Sequence, residues 1–205
     1  MPTDKVLDAW VVLIHMAEKI PILKGKKVKT RILRPSEFEL LREGAKKTEN
    51  KTLLDGCLLL GARYKECQTI QNNPRWFDGN FIHLPSEAQK KVKRRQIERW
   101  IRLSSMGKAI LPYFFESKKR LPSIQAWDYS LLVWAERGGL NPAGISARSL
   151  RKTYESWLIF YYPEATNLVY LSQGHTTLTS LQHYINLPFI EEDRKDMGRW
   201  VEGWL

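Results

Sequence analysis

The sequence is poor in cysteine, in long apolar runs, in glycine-rich phosphate loops and in clustered metal ligands. Its two cysteines, Cys57 and Cys67, form no Cys-x-x-Cys pair. They cannot build a disulfide framework or a four-ligand zinc site, and they suit a reducing cytosol. The longest apolar stretch near the N-terminus, Ala9 to Met16, is interrupted by His15. It falls far short of the ~20 residues of a membrane span and lacks the cleavage pattern of a secretory signal. A soluble intracellular protein is therefore expected. The four histidines are scattered, and Glu191, Glu192 and Asp193 lie together near the end of the chain. A two-metal nuclease needs convergent carboxylates, and a nucleotide-driven enzyme needs a glycine-rich loop. Neither pattern is evident, so no metal and no cofactor are expected.

What the sequence has in excess is positive charge. Thirty-three Lys and Arg stand against 22 Asp and Glu, a formal net charge of +11. Such an imbalance costs self-repulsion unless a polyanion relieves it, and nucleic acid is the commonest polyanion. The chain of 205 residues is 43% apolar and 11% aromatic, enough for one domain, with or without a short appendage, around a proper core.

Residues 4–20 carry Leu7, Val11, Ile14 and Ala17 at helical spacing and stop at Pro21, which predicts an amphipathic helix. Lys24, Lys26, Lys27 and Lys29 follow as a linker or a phosphate-contacting arm, or equally as a solvated turn. At Arg34-Pro35-Ser36-Glu37-Phe38-Glu39 a helix is expected to start, capped by Ser36 with Glu39 reaching back. Phe38, Leu41 and Ala45 would share its inner face. Thr52 to Leu60 reads as a buried helix ended by Gly61, with the next helix beginning at Arg63. Asp78-Gly79-Asn80 is a turn, Phe81 to Leu84 a short strand, and Ile97 to Leu103 a second strand with Ile97, Ile101 and Leu103 on one face. Between them runs Lys90-Lys91-Val92-Lys93-Arg94-Arg95. The remainder reads as helical, punctuated by Pro112, Pro122, Gly138-Gly139 and Pro142. The fold class expected is mainly α with a small antiparallel β-sheet.

Three segments carry a resemblance. Leu58-Leu59-Leu60-Gly61-Ala62-Arg63, with Glu66 three residues on, resembles the first catalytic box of the tyrosine recombinases, the family of phage integrases and the Xer and Cre proteins. Gly138-Gly139-Leu140-Asn141-Pro142 followed by Arg148-Ser149-Leu150-Arg151-Lys152-Thr153 looks like the second box. Leu171-Ser172-Gln173-Gly174-His175 with Tyr184 nine residues beyond is similar to the third. Order and spacing agree across the 121 residues from Arg63 to Tyr184. The resemblance covers Arg31 to Leu205. It implies a catalytic domain over residues 31–205 with a C-terminal tail helix, after an N-terminal helix and basic linker over residues 1–30. Members usually carry a separate N-terminal DNA-clamping domain, so a fragment, a shortened natural enzyme or a remnant of an interrupted gene is implied.

The chemistry of this set follows from its residue types. A phenol ionises near pH 10, so Tyr184 attacks a phosphodiester only where the developing charge on phosphorus is neutralised. Arginine does this with a planar fork that stays charged, which assigns Arg63 and Arg151 to the nonbridging oxygens. The resemblance further implies a lysine from the hairpin as the acid that protonates the departing sugar oxygen. Lys91 is favoured by its distance beyond Arg63, with Lys90 and Lys93 as alternatives. His175 would hydrogen-bond the phosphate. Arg148 stands where the family usually has histidine; it cannot accept a proton, but it can bind phosphate or brace the site, and archaeal members in particular tolerate change there. The implied catalytic set is Arg63, Lys91, Arg148, Arg151, His175 and Tyr184.

The expected function is site-specific recombination of double-stranded DNA through a 3′-phosphotyrosine, by a homotetramer on DNA that is a monomer when free. A noncatalytic DNA-binding regulator on the same fold, and nicking and relaxing in the manner of a type IB topoisomerase, are the alternatives. After Pro188, the acidic residues 191–193 suit a helix N-terminus. Met197, Trp200, Val201 and Trp204 then form a stripe too aromatic to face water. It packs either on its own domain or in a neighbouring subunit; the resemblance favours the neighbour.

Overall fold

Helix α1 (Pro35–Gly44) starts at a proline whose fixed φ suits the first helical position. Its N-cap is Arg34, whose N–H donates to Glu37 Oε2 at 2.9 Å. Ser36, expected as the cap, lies inside the first turn instead. Phe38 and Leu41 are fully buried and Ala45 is nearly so, as their shared face required. The computed structural model describes residues 29–88, 98–174 and 189–205. The helix expected over 4–20, the lysines of the first basic stretch other than Lys29, and Ile97 lie outside the described residues.

Helix α2 (Thr48–Leu60) begins four residues before its expected start at Thr52 and ends as expected at Gly61. Leu53, Leu54, Leu58, Leu59 and Leu60 are wholly buried, so this helix is the centre of the core. Around it lie α3 (Tyr64–Gln71), α4 (Ser105–Glu116), α5 (Ile124–Arg137), α6 (Ala147–Tyr161), α7 (Thr166–Gln173) and α8 (Glu191–Val201). Helix α2 packs on α4 and α6, while α1 packs on α5. Pro112 does not punctuate anything: it lies inside α4, on the exposed side. There water can satisfy the carbonyl that its missing N–H leaves unpaired.

Strands β1 (Phe81–Leu84) and β2 (Arg99–Arg102) pair antiparallel, with Ile82 opposite Ile101 and Leu84 opposite Arg99. The turn before β1 is fixed by Asp78 Oδ1, which accepts from the N–H groups of Asn80 and Phe81. Alternation sends Ile82, Leu84, Arg99 and Ile101 inward. Three of these are apolar. The fourth is a buried arginine.

Of the two alternatives expected for the tail stripe, the structure shows the first: it is buried against its own domain rather than left for the neighbour that the resemblance favours. Met197, Trp200, Val201 and Trp204 are at most 3% exposed. The Phe38 ring meets Trp200 at 5.1 Å and Trp157 at 5.9 Å, both edge-on, so one side chain joins α1, α6 and α8. Arg34 Nε donates to both carboxylate oxygens of Asp193 at 3.0 and 3.1 Å, and the Ile190 N–H donates to Asp193 Oδ2. Burying four large apolar side chains contributes roughly 1.5–3 kcal/mol each before ordering costs. A neighbour would have to replace that whole contribution.

Candidate active site

Gly61 ends α2 in the left-handed region, φ 54°, with its N–H on Leu58 O. A side chain there would be strained, and its Cβ would lie 2.4 Å from Gln173 Nε2. The turn makes Arg63 the N-cap of α3. Glu66, in the first turn, reaches back: its Oε2 accepts the Arg63 N–H at 2.9 Å and its Oε1 accepts Arg63 Nη1 at 2.9 Å. The same residue caps the helix and holds the arginine.

Two more arginines approach this carboxylate. Arg99 Nη2, from β2, donates to Glu66 Oε2 at 2.8 Å. Arg151 Nη1, from α6, lies 3.9 Å from that oxygen. Glu66 is 1% exposed. Burial pushes its carboxyl upward, but Arg99 and then Arg63 outweigh burial and leave it below the usual range. Burial also lowers Arg151, helped by the charges of Arg63 and Arg99 and opposed by Glu155 and Glu66, to about 10. Arg151 therefore remains charged at neutral pH.

The C-terminal end of α7 closes the cluster. Arg99 Nε donates to Ser172 O at 3.2 Å and Arg151 Nη2 to Gln173 O at 2.6 Å. Successive carbonyls at a helix C-terminus carry partial negative charge, which favours both guanidiniums. Gly174 follows in the left-handed region, φ 68°. Residues 61–66, 99, 151 and 172–174, far apart in sequence, thus meet. Among the described residues, three guanidiniums surround Glu66, with Glu155 one turn along α6 as a further carboxylate. Arg63 is the open member: its side chain is 42% exposed against 10% for Arg151. Such a pair can grip an anion from one side.

Of the expected catalytic residues, the structure brings Arg63 and Arg151 together through Glu66. Arg148 is exposed one turn before Arg151 on α6, where residues three apart share a face. Lys91, with Lys90 and Lys93, and His175 and Tyr184 lie outside the described residues. The sequence reading marked Glu66 without giving it a role and missed Arg99. The signal for Arg99 was present: with Ile101 and Leu103 it forms the period-2 inner face of a strand, where a charged residue requires a buried partner.

No family model matches this chain, and no curated protein does. Among solved structures, the chain is similar to the XerH site-specific recombinase bound to its difH substrate in a pre-cleavage complex. The TM-score is 0.56, at 17% identity, over 79% of this chain and 52% of that one. The fold is that of a tyrosine recombinase catalytic domain. This chain spans about half the length of that recombinase. Among the described residues no helix is long and apolar enough to cross a membrane.

Proposed function

We propose that this chain is a site-specific DNA recombinase that cleaves and rejoins strands through Tyr184. Residues 31–205 form the catalytic domain, and residues 1–30 supply an N-terminal helix and basic linker. The observation that carries this reading is the convergence of Arg63 and Arg151 on one buried carboxylate, from the two segments that resemble separate catalytic boxes. In this reading the two guanidiniums hold the nonbridging oxygens of the scissile phosphate. Tyr184 gives up its phenolic proton to solvent water and its oxygen attacks phosphorus. The bond from phosphorus to the 5′ oxygen breaks, and that oxygen takes a proton from Lys91 or a neighbouring lysine of the same run. His175 hydrogen-bonds the phosphate. A 3′-phosphotyrosine and a free 5′-hydroxyl result. Attack by a 5′-hydroxyl from the other duplex reverses each step, so religation needs no nucleotide. Arg148 contributes a phosphate contact or a brace. A homotetramer on DNA is the assembly that such strand exchange calls for.

The test is a cleavage series on a nicked duplex that traps the covalent product. Arg63→Ala and Arg151→Ala are expected to lower cleavage by on the order of a hundredfold, the scale of losing one preorganised donor to a developing oxyanion. Arg148→Ala, exposed and one turn away, is expected to cost less. Equal loss in Arg148→Ala and Arg151→Ala would contradict this division of roles. Unaltered cleavage in Arg63→Ala and Arg151→Ala would defeat the proposal.

A further inference from the structure

We propose that Arg99 is a positioning residue of this site, which sets the carboxylate of Glu66 and the turn at the end of α7 without touching DNA. The proposal rests on the recombinase reading above. Arg99 occupies an inward strand position and is 8% exposed, and its guanidinium is turned into the protein, with Nε on Ser172 O, Nη2 on Glu66 Oε2 and Nη1 against Gly174. A buried cation is costly unless it is paired and hydrogen-bonded. Here one fork links three elements: it sits on β2, bonds Glu66 of α3 through Nη2, and bonds Ser172 O of α7 through Nε. A second bond between the same strand and helix runs from the Arg102 N–H to Ser172 Oγ at 3.0 Å.

The contact with Glu66 matters because that carboxylate also holds Arg63 by two bonds. Glu66 faces Arg63 at the start of its own helix, Arg99 from β2 and Arg151 from α6, behind which stands Glu155. Among these, Arg99 is the partner that does most to keep Glu66 ionised. The contact at α7 is as tight. A Cβ on Gly174 would lie 2.8 Å from Arg99 Nη1, so the glycine turn is packed directly on the guanidinium. Arg151 bonds the next carbonyl, Gln173 O. The two arginines therefore hold adjacent carbonyls of one helix end, and only Arg151 belongs to the resemblance to the catalytic boxes.

Loss of Arg99 releases Glu66 and the end of α7 together. The experiment compares wild type, Arg99→Met and Arg99→Lys in two measurements. One is single-turnover cleavage of the nicked duplex as a function of pH; the other is an NMR titration of the Glu66 side-chain carboxyl in the free protein. Arg99→Lys retains charge and stem, so it carries the test if Arg99→Met does not fold. For Arg99→Met the expected results are a cleavage rate about 10- to 100-fold lower with duplex affinity held, and a Glu66 pKa and acidic limb of the rate profile both moved up by about one unit or more. Arg99→Lys is expected to recover much of the Glu66 shift but only part of the rate, because an ammonium lacks the planar fork that serves Glu66 and Ser172 together. Folded variants with unchanged Glu66 titration, or with wild-type cleavage and an unmoved acidic limb, overturn the proposal. Wild type that forms no adduct overturns the recombinase reading, and with it the catalytic meaning of Arg99. The Glu66 titration then still decides whether Arg99 sets the carboxylate.

Discussion

Glu66 and Asp55 are both buried carboxylates on arginines, and they respond to pH with opposite sign. Burial drives Asp55 up to about 6, and its bonds from Arg42 Nε at 2.9 Å reduce that rise without cancelling it. Its folded value thus lies above its unfolded one, so the folded state binds the extra proton and this group's contribution to stability falls as pH rises from about 4 to 6. Glu66 is held below its usual value, so its contribution is present above about 4.5 and is lost as pH falls through the folded pKa. Glu66→Gln should therefore cost about 3–5 kcal/mol at pH 7, the scale of breaking one partner of a buried ion pair, and much less at pH 3. Denaturant unfolding of wild type and Glu66→Gln at both pH values checks this. An equal cost at both values would show that Glu66 acts by packing rather than by charge. At this scale the sequence was legible where a residue type has one use: an arginine after a helix-ending glycine, with a glutamate three positions on. For Arg99 the inward strand position was legible, but its partners, 33 and 73 residues away, were not. Distance along the chain carries no sign of such a pairing.

Elements were readable wherever a stop or start is dictated by backbone chemistry. Gly61 ended α2 because only glycine takes its φ freely, and the turn at Asp78 placed β1 at its observed bounds. The start of α1 was misregistered because two residue pairs at the same spacing compete, Arg34 with Glu37 and Ser36 with Glu39. Pro35 decides between them, since proline favours the first helical position and so places the cap at Arg34. The tail helix was legible as an element and as an apolar stripe, but a stripe alone does not name what it packs on. With α8 docked in cis, removal of Asp193 to Leu205 should expose Phe38 and Trp157 and abolish the cooperative unfolding transition. Trp200→Ala should cost about 3–5 kcal/mol, as for other buried aromatic side chains. Urea unfolding followed by far-UV circular dichroism reads both. A truncated chain with wild-type stability would return the stripe to a neighbouring subunit.

The whole molecule combines a fold found in DNA-bound recombinases with an excess of 11 positive charges. Fold class was accessible from sequence, and so were Arg63 and Arg151, the two residues of the expected site that the structure brings together on Glu66. The way Arg99 and the end of α7 join them was not, because it depends on β2 and α7 meeting across the core. DNA binding by this chain is expected to be weak and steeply salt-dependent, since it rests on Lys and Arg against phosphates. Affinity should fall by orders of magnitude between about 50 and 200 mM salt. A salt-insensitive nanomolar complex over that range would contradict it. The most direct test of the central claim is covalent trapping on a nicked suicide duplex, with the linked residue mapped by mass spectrometry. Wild type is expected to yield a 3′-phosphotyrosine adduct at Tyr184, and Tyr184→Phe is expected to bind the duplex nearly as well and yield none. An adduct that persists in Tyr184→Phe, or a folded wild-type chain that binds the duplex and never forms one, would contradict it.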